Sequence, residues 1–400
     1  MGRAGDGSTL SLDFTAMGGT LDSRITFSRA DATARATFIN SLGYVETVPV
    51  GQPQAPRFDY VGGVAKGLLI EAPATNNCRQ SSNPGSWLGA TSGTTITTGT
   101  GVAPDNVTVP KQIAMTASAY HAQQSPPSLA VGTYTFSVWL KAASSQLVGM
   151  RINRQLDGSN SSMIVASVTT SWQRFSVSLA SNAVDVIEVD FDQRNGGAGS
   201  VLQGPAVAAT FLMWGAQLEA SPVPSSNIET TTIAVTRAAD TAIIAAGTNF
   251  SSWYTGGTTG TFVANWYGNA SSATARSVIA TSDQTTKHLH MYQTASALTL
   301  RLADFNAAAT VTTANSLTAD ALTKGAFSYA GTATSLCLNG GTVATGTLAF
   351  TVAPTWLSIG GPSTNGTSIT DTTVMLNNSI RTLKYFPARL SDGQIQGLST

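Results

Sequence analysis

Gly132-Thr133-Tyr134-Thr135-Phe136-Ser137-Val138-Trp139-Leu140-Lys141 alternates with a period of two. Tyr134, Phe136 and Val138 fall on one face, and Thr133, Thr135 and Ser137 fall on the other. That is the pattern of a strand with one side against a core. Similar runs follow at Leu147-Val148-Gly149-Met150-Arg151-Ile152, Ser171-Trp172-Gln173-Arg174-Phe175-Ser176-Val177, Val184 to Asp192, and Thr210-Phe211-Leu212-Met213-Trp214-Gly215-Ala216-Gln217-Leu218. Turn signals separate the runs every 8–12 residues or so, the spacing of β-sandwiches.

Beyond Ala220-Ser221-Pro222-Val223-Pro224-Ser225-Ser226, a linker or closing turn, a third region of strands begins near Gly247. It holds Gly260-Thr261-Phe262-Val263-Ala264-Asn265-Trp266-Tyr267, His288-Leu289-His290-Met291-Tyr292 and Leu298-Thr299-Leu300-Arg301-Leu302. Asn339-Gly340 supplies the positive φ angles of a type I′ hairpin turn. Ser391 stands where it would cap a short helical turn. Upstream, residues 1–75 read differently. Short alternating runs such as Thr26-Phe27-Ser28-Arg29-Ala30 are broken by Pro49, Pro53, Pro56 and several glycines. Such a segment has too little apolar surface for its own core. It is expected to lie as an extended arm along its own downstream domain, along a neighbouring subunit, or along both.

Composition narrows the function. Of 400 residues 42% are hydrophobic and only 10% charged, with 21 Lys+Arg against 21 Asp+Glu; globular chains typically carry about 25% charge. A polyanion binder would be basic, so no nucleic-acid partner is expected. A disordered chain would be poor in hydrophobic residues and rich in net charge. No run nears the roughly 20 apolar residues of a membrane span, and the start Met1-Gly2-Arg3-Ala4-Gly5-Asp6-Gly7 lacks the apolar stretch of a secretory leader. Ser and Thr together number 99. Threonine favours the pleated surface, and its hydroxyl keeps an outer face wet without charge. A neutral surface of this kind suits an object held in a larger assembly. Cys78 and Cys337 lie too far apart for a Cys-x-x-Cys centre and read as buried free thiols.

Four strings now carry a resemblance: Thr26-Phe27-Ser28-Arg29-Ala30; Pro56-Arg57-Phe58-Asp59-Tyr60; Gly67-Leu68-Leu69-Ile70-Glu71 with Thr75-Asn76; and Trp214-Gly215-Ala216-Gln217-Leu218-Glu219 followed by Thr236-Arg237-Ala238-Ala239-Asp240. In this order they resemble the signature of tailed-bacteriophage fibre and head-spike proteins, the last string matching the closing strand of a carbohydrate-binding-module-like jelly roll. Leu338-Asn339-Gly340, Leu357-Ser358-Ile359-Gly360 and Leu383 to Asp392 resemble a concanavalin A-like (laminin G-like) sandwich. Two departures stand out. Ala74 precedes Thr75 where the family has a basic residue, and Asn77-Cys78 replaces an apolar pair. The resemblance implies an all-β chain with an N-terminal virion-attachment arm (1–75), a jelly roll (76–240) and a C-terminal sandwich (241–400). It further implies a location on the virion surface and contacts with other virion proteins. Self-association, with a trimer as the family's usual form, and attachment to host surface glycan are also implied. A capsid decoration protein and a polysaccharide-depolymerising tailspike are the alternatives.

For chemistry, Ile187-Glu188-Val189-Asp190-Phe191-Asp192 places Glu188, Asp190 and Asp192 on one strand face, about 7 Å apart per step. The string resembles the catalytic strand of laminarinase-type glucanases, with Asp192 where that family has Glu. Retaining glycosidases hold two carboxyls about 5–5.5 Å apart. A polar sheet edge is the first reading; a structural or ligand-bridging Ca²⁺ site and a glycosidase stand behind it. No other cofactor is expected. His288 and His290 share a strand face without a third metal ligand nearby, and read as solvent-exposed. No Gly-x-Ser-x-Gly elbow, Walker loop or His-Glu-x-x-His occurs, so no catalytic residue is assigned. Sugar rings stack on exposed aromatics, for which the candidates are Trp87 and Tyr120 in the middle region and Trp253, Tyr254, Trp266 and Tyr267 in the last.

Overall fold

The computed structural model describes residues 6–16, 20–33, 35–87, 89–90, 93–124, 128–154, 161–195, 204–269, 274–282, 288–304, 309–348, 350 and 352–400. The chain is all-β. Two five-stranded antiparallel sheets form the jelly roll. One runs Gln173–Ser181, Gly132–Ala142, Ala209–Glu219, Lys111–Met115, Thr94–Thr98, and the other Ser161–Val168, Gln146–Arg154, Ile187–Asp192, Tyr120–Gln124, Gly89–Ala90. Tyr134, Phe136 and Val138 meet Val148, Met150, Ile152, Val189 and Phe191 in one core, as the alternation predicts. The opposite face of Gly132–Ala142 is wet at Thr133 but not in its middle. Thr135 and Ser137 are fully buried, because Thr135 Oγ1 donates to Ser221 O at 2.6 Å and Ser137 Oγ accepts from Arg174 Nη2 at 3.0 Å. The hydroxyls in the middle of this face serve a junction, not the solvent.

The second sandwich is discontinuous in sequence. Its eight-stranded sheet inserts Val64–Ile70 and Phe58–Val61 beside Asn378–Phe386, and Leu10–Asp13 pairs with the same strand, Leu10 opposite Tyr385. Its seven-stranded sheet begins with Ile25–Arg29, paired to Asp240–Ile244. The segment expected as an arm therefore lies along its own downstream domain as full strands. Leu10, Leu12, Phe14, Phe58, Leu68 and Ile70 share a core with Phe262, Trp266 and Tyr385. Gly67 shows why pairing is close here: at φ 119° a Cβ would stand 2.1 Å from Ile380 O, so only glycine lets Val64–Ile70 seat. The chain leaves this sandwich through Ala74–Asn76 and returns through Val235–Arg237, and these two strands pair antiparallel. The jelly roll is thus an insertion whose two ends are clasped together.

At this clasp the charged residues of the signature strings meet. Arg29 bonds Asp240 Oδ1 (2.9 Å) and Asp31 (3.1 Å), Arg57 bonds Glu71 (2.6 Å) and Asp240 Oδ2, and Arg237 reaches Glu71 at 3.5 Å. Three arginines face three carboxylates, all buried. Ser226 adds its N–H and Oγ–H to Glu71, each at 2.7 Å, and Arg57 Nη1 donates to Thr37 O. Burial would raise the Glu71 carboxyl, but the Arg237 and Arg57 charges and the Ser226 hydrogen bonds overcome it and hold it at about 2. Burial works against the Arg57 charge too, and Asp240 and Glu71 outweigh it. A buried ion cluster stabilises most when every member is satisfied; Ser226 and the Thr37 carbonyl add partners here, while Arg57 Nε and Arg237 Nε are left without a hydrogen bond.

Smaller expectations resolve in the same terms. Asn339 and Gly340 take φ 48° and 65°, and Gly341 N donates to Leu338 O at 2.9 Å. Ser391 caps Asp392–Leu398 in a full capping box with Gln394. Cys78 and Cys337 are buried free thiols. No helix of the described residues is long and apolar enough to cross a membrane.

Candidate functional site

The acidic strand Ile187–Asp192 lies between Gln146–Arg154 and Tyr120–Gln124, with Asp190 opposite Arg151 and Asp192 opposite Tyr120. Ile187, Val189 and Phe191 enter the core, which leaves Glu188, Asp190 and Asp192 on the other face. Their carboxylates are taken up by arginines. Arg151 Nε contacts both Asp190 oxygens at 2.9 and 3.1 Å, and its Nη2 approaches Glu188 at 3.4 Å. Arg194 forks onto Asp192 at 2.9 and 2.7 Å while lying over the Tyr120 ring at 4.1 Å. Burial pushes Asp190 up to about 8, against the pull of Arg151 and with the push of Glu188 and Asp192. Asp190 and Asp192 are fully buried. The strand is central in its sheet, so the polar sheet edge expected first is corrected, and the Ca²⁺ and glycosidase alternatives would have to act on carboxylates already paired with arginine. A sugar cannot reach Asp190 or Asp192, and a cation would have to displace two guanidinium groups. Among the described residues no group of three or more His, Cys, Asp or Glu side chains could hold a metal ion.

The aromatic candidates other than Tyr120 are buried. Trp87 is buried in a stack with His121 (5.3 Å) and Phe191 (5.9 Å). Trp253 and Tyr254 pack with Phe250 and Tyr385, and Tyr254 shares a hydroxyl bond with Tyr329 at 2.7 Å. Trp266 is fully buried, and Tyr267 lies buried with Lys66 Nζ 4.7 Å above its ring. The sandwich cores enclose Trp87, Trp253, Tyr254 and Trp266, and Lys66 lies over Tyr267. Tyr120 is half-buried, with its face occupied by Arg194. His290, expected to be exposed, is buried beside Tyr292. The side chain of His288 lies outside the described residues, as does Lys287.

Sequence reasoning missed the ring that does border open space. Trp139 belongs by alternation to the Thr135/Ser137 face of the opening strand, a signal already legible in its odd position. It lines a cleft of about 480 Å³ between the two sandwiches. Arg174, Ser176 and residues 223–227 complete the jelly-roll wall; Phe38, Asp59, Lys66, Asn269, Asp320 and Asn378 supply the opposite one. Lys66 Nζ donates to Asn378 Oδ1 at 3.0 Å and stands 3.8 Å from Asp59. Burial raises the Asp59 carboxyl, against the Ile39 N–H it accepts. Arg174 donates to Ser225 O and Ser137 Oγ, and burial lowers its affinity for the proton. Three buried polar atoms of this wall have no hydrogen-bond partner: Asn227 Oδ1, Trp139 Nε1 and Arg174 Nε. Gly215, at φ 65°, keeps the wall in place, since a Cβ there would meet Asn227 Oδ1 at 2.7 Å.

No family model matches the sequence, and no curated protein does. Among solved structures, the Ruminococcus gnavus IT-sialidase CBM40 bound to α2,6 sialyllactose is 18% identical, covering 36% of this chain and 84% of its own, with a TM-score of 0.30. Mouse laminin α1 domains LG4-5 are 7% identical over 69% of this chain and 90% of that one (TM-score 0.25). The enzymatically active domain of bacteriophage CBA120 tailspike protein 4 is 14% identical over 36% of this chain and 21% of that one (TM-score 0.27). Superpositions this partial carry no functional information for this chain.

Proposed function

We propose that this chain is a surface protein of a tailed-bacteriophage virion, of the fibre or spike type, whose sandwiches attach to host surface glycan without cutting it. One observation carries the reading. The signature strings, scattered from Arg29 to Asp240, bring Arg29, Arg57, Glu71, Arg237 and Asp240 into one buried ion cluster. Strings that meet in space form one physical unit, which supports reading them together as a single signature. The neutral surface fits an object fixed to a particle in many copies, where weak contacts multiply into avidity. A trimer and contacts with head, neck or tail proteins belong to the same proposal.

The experiment is immunogold imaging of phage particles together with incubation of the full chain on host cells and purified envelope polysaccharide. The expected result is label on the particle surface and retention on cells with no new reducing ends. Label with no cell binding would leave a decoration protein. Reducing ends that vanish in Glu188→Gln would replace attachment by depolymerisation.

A further inference from the structure

We propose that the side chains of Lys66 and Asn378 become joined by an intramolecular amide bond, formed autocatalytically with Asp59 as the acid–base group and with release of ammonia. The three residues stand on three neighbouring strands, Phe58–Val61, Val64–Ile70 and Asn378–Phe386. The register explains their meeting. Asp59 pairs with Gly67 and Tyr60 with Ala65, so Lys66 is the extra residue of a β-bulge, and bulges re-aim side chains. Lys66 Nζ reaches Asn378 Oδ1 at 3.0 Å and Asp59 Oδ2 at 3.8 Å, with the Tyr267 ring 4.7 Å away. A C=O bond is about 1.2 Å long, so Nζ stands no more than about 4.2 Å from Asn378 Cγ. A shift of about 1 Å brings it to the roughly 3–3.5 Å of a near-attack arrangement.

The surroundings suit an acyl transfer. Asn378 is buried, and its Oδ1 also accepts the Ser379 N–H at 2.9 Å, a donor placed where negative charge collects as the carbonyl is attacked. Nδ2, the leaving nitrogen, is held by Asp320 Oδ1 at 3.2 Å and by Gly268 O and Asn269 Oδ1 at 3.3 Å. Asp59 Oδ1 is fixed by the Ile39 N–H at 2.8 Å, and Oδ2 is the oxygen near Lys66. Burial raises this carboxyl, so it takes a proton from an ammonium more readily than a solvated aspartate does. Asp59 first removes one proton from the Lys66 ammonium. The free amine adds to Asn378 Cγ, and the carbonyl electron pair moves onto Oδ1. A proton passes from Nζ to Nδ2, the Cγ–Nδ2 bond breaks as the C=O bond re-forms, and ammonia leaves with the Asp59 proton as ammonium. One C–N bond forms and one breaks, with no oxidant or reductant. The link joins residues 312 positions apart and fastens Val64–Ile70 to Asn378–Phe386, in a chain whose two cysteines are free. It is independent of what the chain attaches to.

Mass spectrometry of the full chain, denatured after purification, is the test. Wild-type protein is expected about 17 Da below its sequence mass, one ammonia lighter, with a branched tryptic peptide that joins Lys66 to Asn378. Lys66→Arg and Asn378→Ser each remove one partner of the bond. Asp59→Asn removes the acid–base group and leaves both partners in place. All three variants are expected at their own full sequence mass, without the branched peptide. Wild-type protein at full sequence mass overturns the proposal by itself, whether or not any variant folds. So does an ammonia deficit that the peptide map places elsewhere, as at the Asn339-Gly340 turn. A branched peptide that persists in Asp59→Asn upholds the bond and overturns the role of Asp59.

Discussion

Glu71→Gln is the perturbation that tests the buried cluster most directly. The substitution keeps the shape of the side chain and removes one of three negative charges, leaving Arg29, Arg57 and Arg237 to face Asp31 and Asp240. The wild-type carboxyl is held at about 2 against 4.5 for a free glutamate, which by linkage corresponds to about 3 kcal/mol at neutral pH. Unpairing a buried ion costs about 3–5 kcal/mol in other proteins, the same range from an independent direction. Because the folded carboxyl is depressed, its contribution is fully present above pH 4.5 and is lost as pH falls towards 2. Urea unfolding followed by tryptophan fluorescence at pH 7, 4.5 and 2.5 is the assay. The gap between wild type and variant should be about 3 kcal/mol at pH 7 and close steadily on acidification. Adding Arg237→Met restores two cations against two anions and should recover part of the loss. A cost below about 1 kcal/mol at pH 7, or strict additivity in the double variant, would refute the cluster as the joint's main fastening.

Asp190 behaves with the opposite sign. Its folded carboxyl is raised from 3.8 to about 8, so its stabilising effect is complete below pH 3.8 and lost as pH climbs through 8. Asp190→Asn should therefore gain on wild type between pH 4 and 9 in urea midpoint, and a flat difference would contradict the buried-acid account. Gly67→Ala places a Cβ against Ile380 O and should cost about 2–5 kcal/mol; an unchanged calorimetric transition would show that the two strands can part without penalty. Ser391→Ala removes the cap of Asp392–Leu398 and should cost about 1 kcal/mol. Faster amide exchange at Gln394 is the local readout, and unaltered exchange there would argue against the cap.

Local features were legible in the residues. The Tyr134/Phe136/Val138 alternation, the Asn339-Gly340 turn and the Ser391 cap each depend on neighbours within a few positions, where spacing alone states the geometry. Features set by distant chain were not. Leu10–Asp13 looked like a fragment of an arm because its partner, Asn378–Phe386, lies at the other end of the sequence and leaves no local trace. Arg29, Arg57 and Asp240 each pass for ordinary solvated charges until the fold brings them together. The same holds for the aromatics: alternation says which rings share a face, but not that a second sheet lies over Trp253 and Trp266. Trp139 did carry a local signal, a large ring out of step with its apolar neighbours, but alternation alone does not say that it borders a cleft.

The insertion also dictates an order of events at the ribosome. Leu10–Asp13 and Ile25–Arg29 emerge with nothing to pair with, since Asn378–Phe386 and Asp240–Ile244 have not yet been made. At about 5–20 residues per second, the edge Leu10–Asp13 waits some tens of seconds for its mate. The jelly roll, whose sheets need only their own residues, is free to condense first and bring Ala74–Asn76 beside Val235–Arg237 as soon as the latter appears. Nascent chains stalled before residue 240 should accordingly hold one protease-resistant module trailing an unprotected leader.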